Sequence, residues 1–161
     1  VAPLGYGGFA KPHYAAISLH GDILLPIQGR ILVQLNPKTG EQKHIPLSAR
    51  THQHGVALNK NDSTLFVVGT GPAGDVTGAP VLSRINLRDG QEAHIPLQRE
   101  HEQIALSGDG KMAYLTGGHS FTEGWNGISM VNFSRNEVHS MKIDDQPLGI
   151  ALWNIGDNKF N

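Results

Sequence analysis

Nine histidines in 161 residues, with no cysteine, are the side chains of this sequence best able to do chemistry. Neutral imidazole ligates Zn, Cu, Fe or Ni and can move a proton near pH 7. Several of these histidines hold related positions. His13 and His54 each stand three residues before an alanine that opens a short apolar run, Ala16-Ile17-Ser18 and Ala57-Leu58-Asn59. Glu102 and Leu148 hold that place before Ala105-Leu106-Ser107 and Ala151-Leu152-Trp153, and His52, His101, Gln103 and Gln146 lie one or two places to either side. If the four runs share one role, imidazoles, a carboxylate and amides converge. One chemistry for such a cluster is a divalent or copper ion held by His13, His54, His101 and Glu102. Another is a polar ligand held by His13, His52, His101, Gln103 and Gln146. His54 is the first acid or base to test. A plainer reading has these polar groups binding water and turn backbone, since only His52-Gln53-His54 forms a compact pair.

The elements that would position these residues are strands in repeat. The alanines at 16, 57, 105 and 151 are spaced 41, 48 and 46 residues apart, within the period of about 40 to 50 typical of propeller blades. Polar turns follow the first three runs, at His20-Gly21-Asp22, Lys60-Asn61-Asp62 and Gly108-Asp109-Gly110. Second apolar runs come next, Ile23-Leu24-Leu25, Leu65-Phe66-Val67-Val68 and Met112-Ala113-Tyr114-Leu115. Third runs end in Asn36, Asn86 and Asn132 before further turns. The fourth runs are His44-Ile45-Pro46-Leu47, His94-Ile95-Pro96-Leu97 and His139-Ser140-Met141-Lys142-Ile143, and a proline there suits an edge strand. The expected fold is all-β, with blades of four antiparallel strands over 12–47, 48–97 and 98–143, an extension over 1–11, and the inner strand of a fourth blade within 144–161.

The strings Pro12-His13, His54-Gly55-Val56-Ala57-Leu58, Ile104-Ala105-Leu106-Ser107-Gly108-Asp109-Gly110-Lys111-Met112-Ala113-Tyr114-Leu115 and Pro147-Leu148-Gly149-Ile150-Ala151 resemble the YVTN-type, YncE-like repeat family of β-propellers. That resemblance covers residues 12 to 153. It implies a propeller, leans toward a periplasmic or extracellular location, and leaves function open, because the family's scaffold carries binding proteins and enzymes alike. Three blades and one strand do not close a ring of four to eight. The chain is therefore expected to be part of a longer propeller, or to be completed by another chain, and not to work as a monomer. A start at Val1-Ala2-Pro3-Leu4 without Met reads as processed or trimmed.

In such a blade the lead-in to strand one and the loop between strands two and three share a face, and the other turns share the opposite one. Two loops on the first face are long, 69–80 and 117–127, and long loops on rigid scaffolds carry binding residues. The second holds His119, Phe121 and Trp125, of which His119 and Trp125 are ligand-binding candidates or else pack on their own blade. The first is Gly-rich without a phosphate-loop pattern. His44, His94 and His139 read as one rim residue per blade, with a packing role, and His20 as solvated.

The remaining composition excludes more than it assigns. A formal net charge of -1 with scattered Lys and Arg gives no nucleic-acid footprint, and no run of about 18 apolar residues spans a membrane. There is no G-x-S-x-G elbow for a serine hydrolase and no haem-attachment motif. The expected role is a ligand-binding or protein-interaction propeller segment, with other blades as partners and a small molecule as ligand. Two rivals stand beside it. One is a metal-assisted enzyme, for which family relatives of virginiamycin-lyase type supply the analogy of a hub histidine as acid or base. The other is a propeller subunit of a periplasmic dehydrogenase.

Overall fold

The structure, a computed structural model, describes residues 14–27, 31–48, 54–70, 79–117, 126–145, 147 and 149–152. Among them there is no helix. Twelve strands form three sheets, each antiparallel and each in simple chain order. Blade 1 is β1 (Ala16–Ile17), β2 (Ile23–Ile27), β3 (Ile31–Leu35) and β4 (Gln42–Pro46). Blade 2 is β5 (Val56–Leu58), β6 (Thr64–Thr70), β7 (Pro80–Asn86) and β8 (Glu92–Pro96). Blade 3 is β9 (Gln103–Leu106), β10 (Met112–Thr116), β11 (Gly127–Asn132) and β12 (Glu137–Lys142). The inner strand β5 touches both β1 and β9, so the three sheets stand side by side around a common hub.

Local sequence explains the turns. The three asparagines that end the third strands fold back onto the chain: Asn36 Oδ1 accepts from the amides of Lys38 and Thr39, Asn86 Oδ1 from Arg88, and Asn132 Oδ1 from Ser134 and Arg135. Such side-chain caps compete with the ladder and stop it.

Two seams hold the blades together, and each joins unlike faces. Leu24, Leu32, Ile45 and Leu47 of blade 1 pack on Leu65, Val67 and Ile85 of blade 2. Phe66, Val68, Leu82, Ile95 and Leu97 of blade 2 pack on Ala113, Leu115 and Val131 of blade 3. Strand alternation places these residues on the correct side, and burying each large aliphatic contributes about 1.5–3 kcal/mol. The repeated Ile-Pro-Leu is thereby explained. Ile45 and Leu47, like Ile95 and Leu97, reach the following blade, while Pro46 and Pro96 end the outermost strands, where a missing N–H breaks no ladder.

Among the described residues no sheet follows blade 3. Met141 pairs with Ile128 as Ile95 pairs with Leu82, yet Met141 is 46% exposed and Ile143 38%, against 4% for Ile95 and 7% for Leu97. At the other end Ile17 and Ile31 of blade 1 are also exposed. Residues 149–152, expected to open a fourth blade, are described but form no strand.

Register corrects the reading of the rim histidines. His44 pairs with Val33 and His94 with Ser83, but the same place in blade 3, opposite Ser129, belongs to Ser140. His139 is one residue earlier, opposite Met130. A slip of one residue turns a side chain to the other face, so the three histidines lie on the outermost strands, one per blade, but His139 does not share the facing of His44 and His94.

Candidate functional site

The lead-ins to the inner strands come together at one end of the hub. His54 precedes β5; its amide donates to the Val68 carbonyl at 2.8 Å, and the Val68 amide returns a bond to Gly55 at 3.0 Å. In blade 3 the Glu102 amide donates to the Thr116 carbonyl at 3.1 Å in the corresponding place. Gly55 is what lets these two lead-ins touch. A Cβ there would lie 2.5 Å from the Glu102 carbonyl oxygen and 2.9 Å from the Gln103 Cα, a contact that no other residue type fits.

Tyr14, two residues before β1, completes the group from blade 1. Its ring meets that of His54 edge-on, with centroids 6.4 Å apart. Burial raises the Tyr14 pKa, the Glu102 carboxylate raises it further, and a hydrogen bond with the Gln103 side chain opposes both. Three successive blades therefore contribute Tyr14, His54 and the pair Glu102 and Gln103 to one mouth. A phenol held protonated, a carboxylate and an amide offer hydrogen bonds to a polar ligand, with the edge of an aromatic ring beside them. Tyr14 escaped the sequence reading, which searched for imidazoles and amides; its nearness to an expected ligand residue was the available signal.

His101 behaves differently. It is buried to 1% exposure, and burial pushes its pKa down to about 4, a hydrogen bond with the Gly117 backbone opposing. It is neutral at pH 7 and embedded in blade 3, which suits a structural hydrogen-bonding role better than proton transfer. His54 is also buried, at 6% exposure.

No group of three His, Cys, Asp or Glu stands close enough to hold a metal ion among the described residues. His54, His101 and Glu102 thus do not make a three-ligand set by themselves, and the burial of His101 against Gly117 accounts for its withdrawal. The fourth expected ligand, His13, lies outside the described residues, as do the expected ligand-binding residues His52, His119, Trp125 and Gln146. His20 is exposed in its turn.

No family model and no curated protein matches this chain. Solved structures do. Hydrazine synthase from Kuenenia stuttgartiensis is similar with a TM-score of 0.70 and 20% identity, over 89% of this chain and 39% of that one. The extracellular domain of a one-component system from B. thetaiotaomicron is similar with a TM-score of 0.55 and 14% identity, over 79% of this chain and 15% of that one. The tricorn protease gives 0.57 and 12%, over 81% and 13%. At these identities the likeness shows the fold alone, a β-propeller-like array of blades, and the chain spans under half the length of each of these three proteins.

Proposed function

We propose that this chain is a section of a larger β-propeller, working outside the cytoplasm, that binds a small polar molecule or a partner protein at the mouth where its inner strands begin. The observation that carries the reading is the meeting of Tyr14, His54, Glu102 and Gln103 from three successive blades. Polar groups drawn from several repeats onto one end of a rigid scaffold are the usual construction of a propeller ligand site. The need for further blades is supported by Met141 and Ile143, bare where Ile95 and Leu97 are covered. A location outside the cytoplasm is supported by an extracellular domain among the structural neighbours.

NMR shift mapping with a panel of small polar fragments tests the binding reading. Shifts gathered at the amides of Tyr14, His54, Glu102 and Gln103, and weakened by His54→Ala, are the expected result. Saturable shifts that leave these amides unmoved would overturn it.

A further inference from the structure

A cavity of about 510 Å³ opens at the opposite end of the seam between blades 2 and 3, away from the histidine mouth. Its lining comes from the turns after β5 and β9 and from the outer parts of both blades, and its volume lies in the usual range for small-molecule sites. Leu58 and Leu106, the last residues of the two inner strands, line it together with Phe66 and Phe133. The two phenylalanines come from different blades and stack with centroids 4.8 Å apart. Over that pair lies Arg84, its guanidinium carbon 5.3 Å from the Phe133 centroid and 6.0 Å from that of Phe66.

The polar groups here divide into those already engaged and those still open to a ligand. Asn59 caps its own turn, accepting from the amides of Ser63 and Thr64 and donating to Ser63 Oγ. Asp109 accepts from Ser107 Oγ and the Lys111 amide, and its charge faces Lys111 Nζ at 3.7 Å. Arg84 and Lys60 differ: neither has a hydrogen-bond or ion-pair partner among the described residues. The cavity therefore presents two cations with no such partner among the described residues, one of them over an aromatic pair, beside apolar walls. The guanidinium over these rings carries paired N–H donors that match a carboxylate.

We propose that this cavity binds a small organic carboxylate with a flat apolar body, the carboxylate on Arg84 with Lys60 adding charge and the body against Leu58, Leu106 and the phenylalanine pair. The apolar walls favour such a molecule over a bare inorganic anion, which would leave them wet. The site is separate from the histidine mouth and does not depend on what binds there.

NMR titration of the whole chain with benzoate, and with benzamide as its uncharged counterpart, tests the proposal. Saturable benzoate shifts at the amides of residues 58–64, 84 and 106–110 are expected, with benzamide weaker by at least about tenfold, the loss of one charge-assisted contact. Arg84→Met keeps an apolar stem over the rings and should weaken benzoate by a similar factor. Equal binding of the two probes, unchanged benzoate binding in Arg84→Met, or no saturable shift at these amides would overturn it. The probe pair on the unaltered chain decides the matter even if the variant fails to fold.

Discussion

Ser48 Oγ lies 2.6 Å from Nε2 of His94, joining the end of blade 1 to the outermost strand of blade 2. The other ring nitrogen of His94 is 3.1 Å from Ser83 Oγ and 3.8 Å from Glu92 Oε1, while Glu92 Oε2 accepts from the Ser48 amide at 2.7 Å. In blade 1 the corresponding positions hold Val33, Gln42 and His44, and His44 is exposed with Gln42 at 3.4 Å. The network therefore belongs to one seam and is not a property of the repeat.

Ser48→Ala and His94→Ala should each lower stability by about 1 kcal/mol, the net worth of a hydrogen bond. The double variant should lose less than the two losses added, because the residues are in contact. His44→Ala should change little. Urea unfolding of these four variants beside the unaltered chain measures all of this.

His101 makes stability depend on acid. Its pKa is about 4 in the fold against an ordinary 6.5, so between those values the unfolded chain takes up a proton that the folded chain refuses. The stabilisation is fully present above pH 6.5 and is lost as pH falls toward 4, by about 3 kcal/mol. Unfolding measured at pH 7 and pH 4.5 should show the fall, and His101→Gln should flatten it.

Gly55→Ala should destabilise by about 1–3 kcal/mol, because its Cβ meets the backbone of Glu102 and Gln103, which has no free rotamer with which to yield. The same change at Gly40, where nothing lies within 4 Å and only the φ of +73° is strained, should cost about 1 kcal/mol. Thermal melts of the two variants compare them directly, and the Gly55 variant should also shift the His54 resonances.

Ile95→Ala should cost about 2–5 kcal/mol, whereas Met141→Ala, its counterpart in blade 3, should cost under about 0.5 kcal/mol in the isolated chain. In any assembly that covers blade 3 the cost of Met141→Ala should rise toward that of Ile95→Ala. Light scattering of the same samples shows which state is being measured.

The blades were legible in the sequence because the two seams share one pattern: Ile45 and Leu47 of the first reappear as Ile95 and Leu97 of the second, and a repeated alternation leaves few other folds. The facing of His139, though not its place on an outermost strand, was misread for a related reason. Matching His139 to His94 by residue type ignored that Met141 must lie opposite Ile128, and this apolar pairing fixes the register. The mouth was half legible. His54 and Glu102 could be found by counting back from the alanines, but Tyr14 reaches them only through the packing of blade 1 on blade 2. The cavity left no local signature, since Phe66, Arg84 and Phe133 become neighbours only when two sheets stack.

Pro26 in β2 faces Leu32 as Val68 faces Leu82 in blade 2. The Val68 amide bonds to Gly55 and lengthens the ladder toward the hub, but a proline has no amide to give. Accordingly β1 is registered to its sheet at two positions, where β5 has three and β9 four. Measured by hydrogen exchange, the hub should open from one side: the amides of Ala16 and Ile17 should trade with solvent before those of Val56 to Leu58 and Gln103 to Leu106. Tyr14 sits just ahead of that weakly tied strand, so the fluctuation that frees β1 would also draw one wall away from the histidine mouth.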